Sequence, residues 1–150
     1  MSAISVAPAR PDDKAAWHPL FEGYRQFYKQ PDDPSVADTV WGWIQDPNHP
    51  TNCLLASDAN GTVIGLAHYR ELPRPLSGTA AGFLDDLFVV PEARGSGAAD
   101  ALIEAVTAHG RQHGWSWLRW FTAEDNYRAR SFYDRVSNLS QWKTYQLDIE

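Results

Sequence analysis

Arg94-Gly95-Ser96-Gly97-Ala98-Ala99 joins an apolar run ending Val89-Val90-Pro91 to an amphipathic stretch that continues through Leu102 and Ile103. The pattern reads as a strand, a small-residue turn and a helix. Pro91 stops a strand ladder, and Gly95 and Gly97 leave the backbone N–H groups of the turn uncovered at a helix N-terminus, where phosphate oxygens bind. Tight strand-to-helix turns also use glycine simply for positive φ and close packing. Two nucleotide loops are excluded: no Gly-Lys-Ser/Thr ending follows, and Gly95-Ser96-Gly97 is not continued to a third glycine three residues later. Arg94 sits at the turn itself, where its guanidinium and the positive helix end would act together on a pyrophosphate. Upstream, Asp85 and Asp86 stand side by side in the same apolar strand, a costly placement unless they are functional or hydrogen-bonded.

A second cluster lies further on. Trp117-Leu118-Arg119-Trp120-Phe121 reads as a strand, and the steps from Asn126 to Arg130 to Tyr133 place those three side chains on one helical face. As a plain helix, Asn126 is an N-cap, Arg130 a solvated side chain and Tyr133 a half-buried aromatic with its tip in water.

Arg94, Gly97 and Ala99 meet the pattern Arg/Gln-x-x-Gly-x-Gly/Ala, and Asn126, Ala129, Phe132 and Tyr133 meet Asn-x-x-Ala-x-x-Phe-Tyr in the right order behind it. Together they resemble the coenzyme A loop and the following helix of the GNAT superfamily of N-acetyltransferases. Leu84-Asp85-Asp86-Leu87-Phe88-Val89 looks like the Leu-Glu-Asp-Ile-Tyr-Val string of polyamine acetyltransferases. After Tyr133, Asp134-Arg135-Val136-Ser137-Asn138 replaces the frequent Leu-Gly-Phe turn and resembles the branch with fungal histone and polyamine acetyltransferases.

The resemblance implies direct transfer of acetyl from acetyl-CoA to a primary amine: a polyamine, an amino acid, another small amine or a lysine of a basic peptide. Gly95, Ser96, Gly97, Ala98 and Ala99 would cradle the pyrophosphate, with Arg94 beside them. The pantetheine amides would pair with the backbone of Leu87, Phe88 and Val89. Asn126 would bind the pantetheine or a strand carbonyl, and Arg130 would reach a phosphate. An alkyl ammonium with pKa ~10 must lose a proton before it attacks, which calls for a carboxylate near the amine. Asp85 and Asp86 are the candidates. Strand alternation sends them to opposite faces, so at most one shares the face of Phe83 and Leu87, and Asp85 is favoured as the base. Asp86 is then a substrate-binding or structural partner, and Tyr133 matches the family's general acid for the departing thiolate. A noncatalytic acyl-CoA-binding sensor or regulatory subunit of the same fold is the alternative.

Other residues carry weaker signals. Trp41-Gly42-Trp43-Ile44 is either core or an aromatic wall for an alkyl ammonium, with Trp41 the candidate contact. His68 lines the acceptor pocket or sits in a strand core. His109 and His113 lack a third ligand nearby in sequence, so no metal is expected. Trp115, Trp117, Trp120 and Trp142 make an aromatic-rich edge, which is core or the interface of a homodimer.

With 150 residues and 43% hydrophobic content, the chain suits a single catalytic domain over 1–150. Its 19 acidic and 13 basic residues give a net charge of −6, which argues against nucleic acid and favours a cationic acceptor. One cysteine, Cys53, and an opening Met1-Ser2-Ala3-Ile4-Ser5 without a basic, apolar leader point to the cytoplasm. No apolar run reaches the roughly 18–20 residues of a membrane span.

The elements that must position these groups follow from spacing. A strand covers 4–8, and a helix runs from Asp12 or Asp13 to about Lys29 with Trp17, Leu20, Phe21, Tyr24, Phe27 and Tyr28 on one face. A second helix covers 36–45. Strands at 52–58 and 62–70 flank a hairpin turn at Asn60-Gly61. A loop at 72–78, a central strand at 81–90, the cofactor helix at 96–113, a strand at 117–122, a helix at 126–136 and a closing strand at 141–149 complete the order. This is a mixed α/β fold: a twisted, mostly antiparallel sheet flanked by about four helices, with the central strand and the next one splayed where the cofactor helix begins.

Overall fold

The computed structural model describes residues 3–149; Met1 and Ser2, which open the leader argument, and Glu150 lie outside the described residues. The chain forms two compact units, one up to Trp120 and one from Phe121 onward. In the first, β1 (Ser5–Pro8), β2 (Asn52–Ser57), β3 (Val63–Arg74), β4 (Thr79–Val89) and β5 (Leu118–Trp120) form one sheet in chain order. The first four strands pair antiparallel, and β4 pairs with β5 in parallel. That parallel pair needs a crossover, which α3 (Ala98–Gln112) supplies. This is the mixed, mostly antiparallel sheet that the sequence leads one to expect.

Alternation along β2 splits the core into two layers. Leu54 and Ala56 pack with Leu102 and Val106 of α3, whereas Cys53 and Leu55 pack with α1 (Lys14–Phe27) and α2 (Pro34–Gln45). Trp17, Leu20 and Phe21 of α1 are buried at steps of three and four, each such side chain contributing about 1.5–3 kcal/mol. Helix α2 starts two residues before the expected 36, because Pro34 fits the first helical position and Asp33 Oδ1 accepts from the Ser35 N–H at 3.0 Å. No helix among the described residues is long and apolar enough to cross a membrane.

The β2–β3 turn forms as expected: Asp58 Oδ1 accepts from Asn60 N at 2.9 Å and Thr62 N at 3.0 Å, and Gly61 takes φ +80°. The expected loop at 72–78 is shorter. β3 runs on to Arg74 and pairs Leu72 with Ala81 and Pro73 with Ala80. Beyond Tyr69 β3 has no β2 partner, and a strand paired on one side only tolerates proline.

Trp115 anchors the crossover. Its indole lies against Gly82 of β4 and Gly110 of α3, where a Cβ on either glycine would run into the ring, and its Nε1 donates to Glu71 Oε1 at 2.7 Å. Gly82→Ala is expected to destabilise the fold by about 1–3 kcal/mol through overpacking. Thermal unfolding reads this as a midpoint lowered by roughly 2–4 °C per kcal/mol. An unchanged midpoint would mean that Trp115 moves aside at no cost.

In the second unit α4 (Tyr127–Val136) is capped by Asn126, whose Oδ1 accepts from Ala129 N at 3.3 Å. The expected closing strand at 141–149 is absent; the segment is irregular, with Trp142 and Tyr145 exposed. An alternating pattern becomes a strand only where a partner takes up its N–H and C=O groups, and none pairs with it among the described residues.

Candidate active site

The β3–β4 ladder slips by one residue where the two carboxylates stand. His68 is opposite Asp86 and Tyr69 opposite Leu84, so Asp85 is the extra, unpaired residue of a β-bulge. A bulge breaks the period-two alternation and re-aims side chains. The expectation that Asp85 and Asp86 face opposite ways is therefore corrected: both line one cleft of about 280 Å³. Phe21 of α1, Val40 and Trp43 of α2, Thr51, His68 and Arg70 complete its wall.

Each carboxylate has its own partner. Arg70 Nε donates to Asp85 Oδ1 at 3.2 Å and Oδ2 at 3.1 Å. Burial nevertheless pushes the Asp85 carboxyl above its ordinary value, outweighing the guanidinium that opposes the shift. Asp86 Oδ2 lies 2.8 Å from His68 Nδ1, and His68 Nε2 lies 3.0 Å from Trp17 Nε1. An indole N–H can only donate, so Nε2 is the acceptor and the ring proton sits on Nδ1, facing Asp86. The histidine is almost wholly buried, at 1% exposure. This chain from α1 through β3 holds Asp86 in place by hydrogen bonds rather than by an ion pair.

Trp41 is in the core, its ring centroid 5.0 Å from that of Trp17. Its neighbour Trp43 faces the cleft instead and stacks on His49 at 4.9 Å. Arg70 was missed by sequence reasoning although a signal existed, because it lies two residues after His68 and so shares its strand face. The buried Cys53 does not line the cleft, and burial pushes its thiol far above the usual range, so it is unfit to carry an acyl group.

At the end of β4, the parallel pairing with β5 stops at Leu84 opposite Trp120. Leu87, Phe88 and Val89 pair with Ala67, Leu66 and Gly65 of β3, and no strand adjoins them on the other side among the described residues. Their backbone on that side is open to an extended ligand with amides. A 3-10 turn at Pro91–Ala93 leads to Arg94, Gly95 at φ +83°, Ser96, and Gly97 at φ +91° as the N-cap of α3. A Cβ built on Gly95 or Gly97 meets nothing within 4 Å. Ser96 Oγ accepts from Ala98 N at 3.3 Å, Ala98 packs into the core and Ala99 is partly buried. A bare backbone facing open space at a helix N-terminus beside an exposed arginine suits a diphosphate, so these residues fit the coenzyme's pyrophosphate.

In the second unit, Arg130 Nη1 donates to the Glu124 carbonyl at 2.8 Å, and Tyr133 is partly buried on the same helical face as Asn126. Asn126 thus acts as the helix cap that its residue type allows, and its amide N–H groups make no hydrogen bond among the described residues.

The family described as Acetyltransferase (GNAT) family matches residues 17–137. An uncharacterised N-acetyltransferase of Bacillus subtilis is 34% identical over 132 residues, covering 88% of this chain and 87% of its own length. A D-amino-acid N-acetyltransferase of Saccharomyces cerevisiae is 32% identical over 135 residues, covering 89% and 84%. The crystal structure of a ribosomal-protein-alanine N-acetyltransferase from Brucella melitensis superposes with a TM-score of 0.85 at 26% identity, covering 98% of this chain and all of that one.

Proposed function

The chain belongs to the GNAT family of acetyltransferases, and we propose that it passes acetyl from acetyl-CoA to a small primary amine seated beside the β4 bulge. The observation that carries this reading is the slip at His68/Tyr69, which brings two carboxylates into one cleft next to the open edge of β4. Acetyl-CoA, when bound, supplies an activated acyl carbon with a thiolate as leaving group. Asp86, oriented by His68, binds the ammonium, and Asp85 accepts one of its protons, directly or through one water, to give the neutral amine that attacks the acyl carbon. A carboxyl raised by burial is a better match to that proton than an ordinary aspartate. As the N–C bond forms and the C–S bond breaks, Tyr133, in the family's acid position, gives its proton to the thiolate, and the second proton lost by the nitrogen restores the phenol, which balances the transfer. Arg94 and the Gly95–Ala99 backbone bind the pyrophosphate, and the open edge at Leu87–Val89 aligns the pantetheine; for the second unit, the family resemblance assigns Arg130 to a phosphate and Asn126 to the pantetheine.

A small acceptor suits the volume of the cleft, just below the roughly 300–1,000 Å³ of small-molecule sites, better than a basic peptide does. The relative that acts on D-amino acids also takes a small amine. The family match crosses both units, which supports their working as a single domain. We read the protein as cytoplasmic on its lone cysteine and as a homodimer on its exposed Phe121 and Trp142.

The test is mass spectrometry after incubation with acetyl-CoA and a panel of amino acids, polyamines, aminoglycosides and basic peptides. The expected result is an acetylated small amine with one free thiol released per product. Coenzyme A binding without any product would favour the sensor alternative.

A further inference from the structure

Among the described residues, Arg70 is the one cation in the cleft wall, and a site for a plain amine or a polyamine has no use for it. A guanidinium close to the ammonium would repel it, and two carboxylates alone would serve better. Nor is Arg70 needed in full as the partner of Asp85. That pair uses only Nε, and among the described residues Nη1 and Nη2 make no hydrogen bond. The group is not a loose surface side chain either, because the guanidinium carbon lies 5.1 Å over the Phe83 ring while Nε is held by Asp85. Two fixed contacts set its plane and leave the terminal fork pre-organised. Such a fork matches a carboxylate in bidentate geometry.

From this we infer that the acceptor is an α-amino acid, its carboxylate held by Nη1 and Nη2 of Arg70 and its ammonium by Asp86. The inference rests on the amine-transfer reading above and narrows it. In an α-amino acid the anion and the cation are bonded to one carbon, so the site must present a cation and an anion close together. The bulge does this: it seats Asp85 between Arg70, which it pairs with, and Asp86, its neighbour in the chain. Asp86 Oδ2 is taken by His68, and Oδ1 has no partner among the described residues, so it can accept from the ammonium. Phe21, Val40 and Trp43 give the remaining wall an apolar surface for a side chain.

The experiment compares leucine and phenylalanine, in both enantiomers, with their carboxamides and decarboxylated amines at saturating acetyl-CoA, using the full chain. The expected result is a kcat/KM for the amino acid about 10- to 100-fold above that for either analogue, the range of one charged hydrogen-bonded contact. Arg70→Gln should abolish the preference by raising KM for the amino acid while KM for the decarboxylated amine, no longer repelled by the guanidinium, does not rise; Arg70→Lys, which keeps the charge without the fork, should restore part of it. The ratio between substrates is read within each variant, so a general loss of activity through Asp85 does not mimic the result. Equal or better use of the analogues by the unaltered protein, or a preference that survives Arg70→Gln, overturns the inference and leaves the amine-transfer reading standing. If neither these acceptors nor polyamines and aminoglycosides are acetylated, both fall.

Discussion

Asp85→Asn is expected to lower kcat/KM by about 10²- to 10⁴-fold, the usual contribution of a positioned general base. Asparagine keeps the size of the side chain and an oxygen that can accept from Arg70 Nε, but it cannot take up a proton. Coenzyme A affinity, measured by calorimetry, should be nearly unchanged, since the cradle at Arg94–Ala99 is a separate stretch of backbone. The pH profile gives an independent reading. Burial raises the Asp85 carboxyl, so the acidic limb of kcat/KM should fall off at a pH above the ordinary 3.8, and this limb should vanish in the variant. Stability carries the opposite sign from the usual aspartate. A carboxyl raised by folding contributes stability that is full below 3.8 and is lost as pH rises through the raised value. The ionised group is thus a net cost at neutral pH, which asparagine removes at the expense of the Arg70 pair. A folded Asp85→Asn protein within about threefold of the original rate would refute Asp85 as base, because general-base loss is far larger than that; Asp86→Asn would then be the variant to examine.

The comparison of these two carboxylates shows where reading the sequence stops. Period-two alternation is a property of an unbroken ladder, and nothing in Leu84-Asp85-Asp86-Leu87 announces that β4 carries one residue more than β3 at this point. A bulge is a relation between two strands, so it is invisible in either alone. The same logic explains the missing closing strand: alternation at 141–149 satisfies one half of a pairing whose other half is not written in that segment. Features governed by local chemistry were legible. The turn at Asn60-Gly61 follows from positive φ, α1 from the spacing of Trp17, Leu20 and Phe21, and the turn into α3 from a proline, two glycines and a helix start. His68 was legible as a strand residue, but its proton could be placed only once Trp17, 51 positions away in sequence, was found against Nε2. Arg70 was legible as sharing the strand face of His68, but its place in a cleft was not, since an arginine on a strand face usually belongs to the solvent.

Gly97→Trp is expected to weaken coenzyme A binding by about 100-fold or more, the loss of two or more hydrogen bonds to a charged group. Gly97 holds φ +91° at the N-cap of α3, and a side chain there would project into open space. On the proposed reading the pyrophosphate approaches the bare backbone through that space, so an indole in it competes with the ligand rather than with the core. The backbone itself is strained by any side chain at this φ, at roughly 1–2 kcal/mol. Two further variants separate strain from blockage. Gly97→Ala carries the same strain with little bulk and should bind coenzyme A far better than the tryptophan variant. Gly61→Trp places the same indole at φ +80° in open space at the β2–β3 turn, so it should lower stability similarly while leaving coenzyme A affinity intact. If Gly97→Trp binds as tightly as the unaltered protein, the pyrophosphate does not sit on this turn. If Gly97→Ala is as weak as the tryptophan variant, the turn's conformation rather than its openness governs binding, and the cradle acts by holding its amides in place.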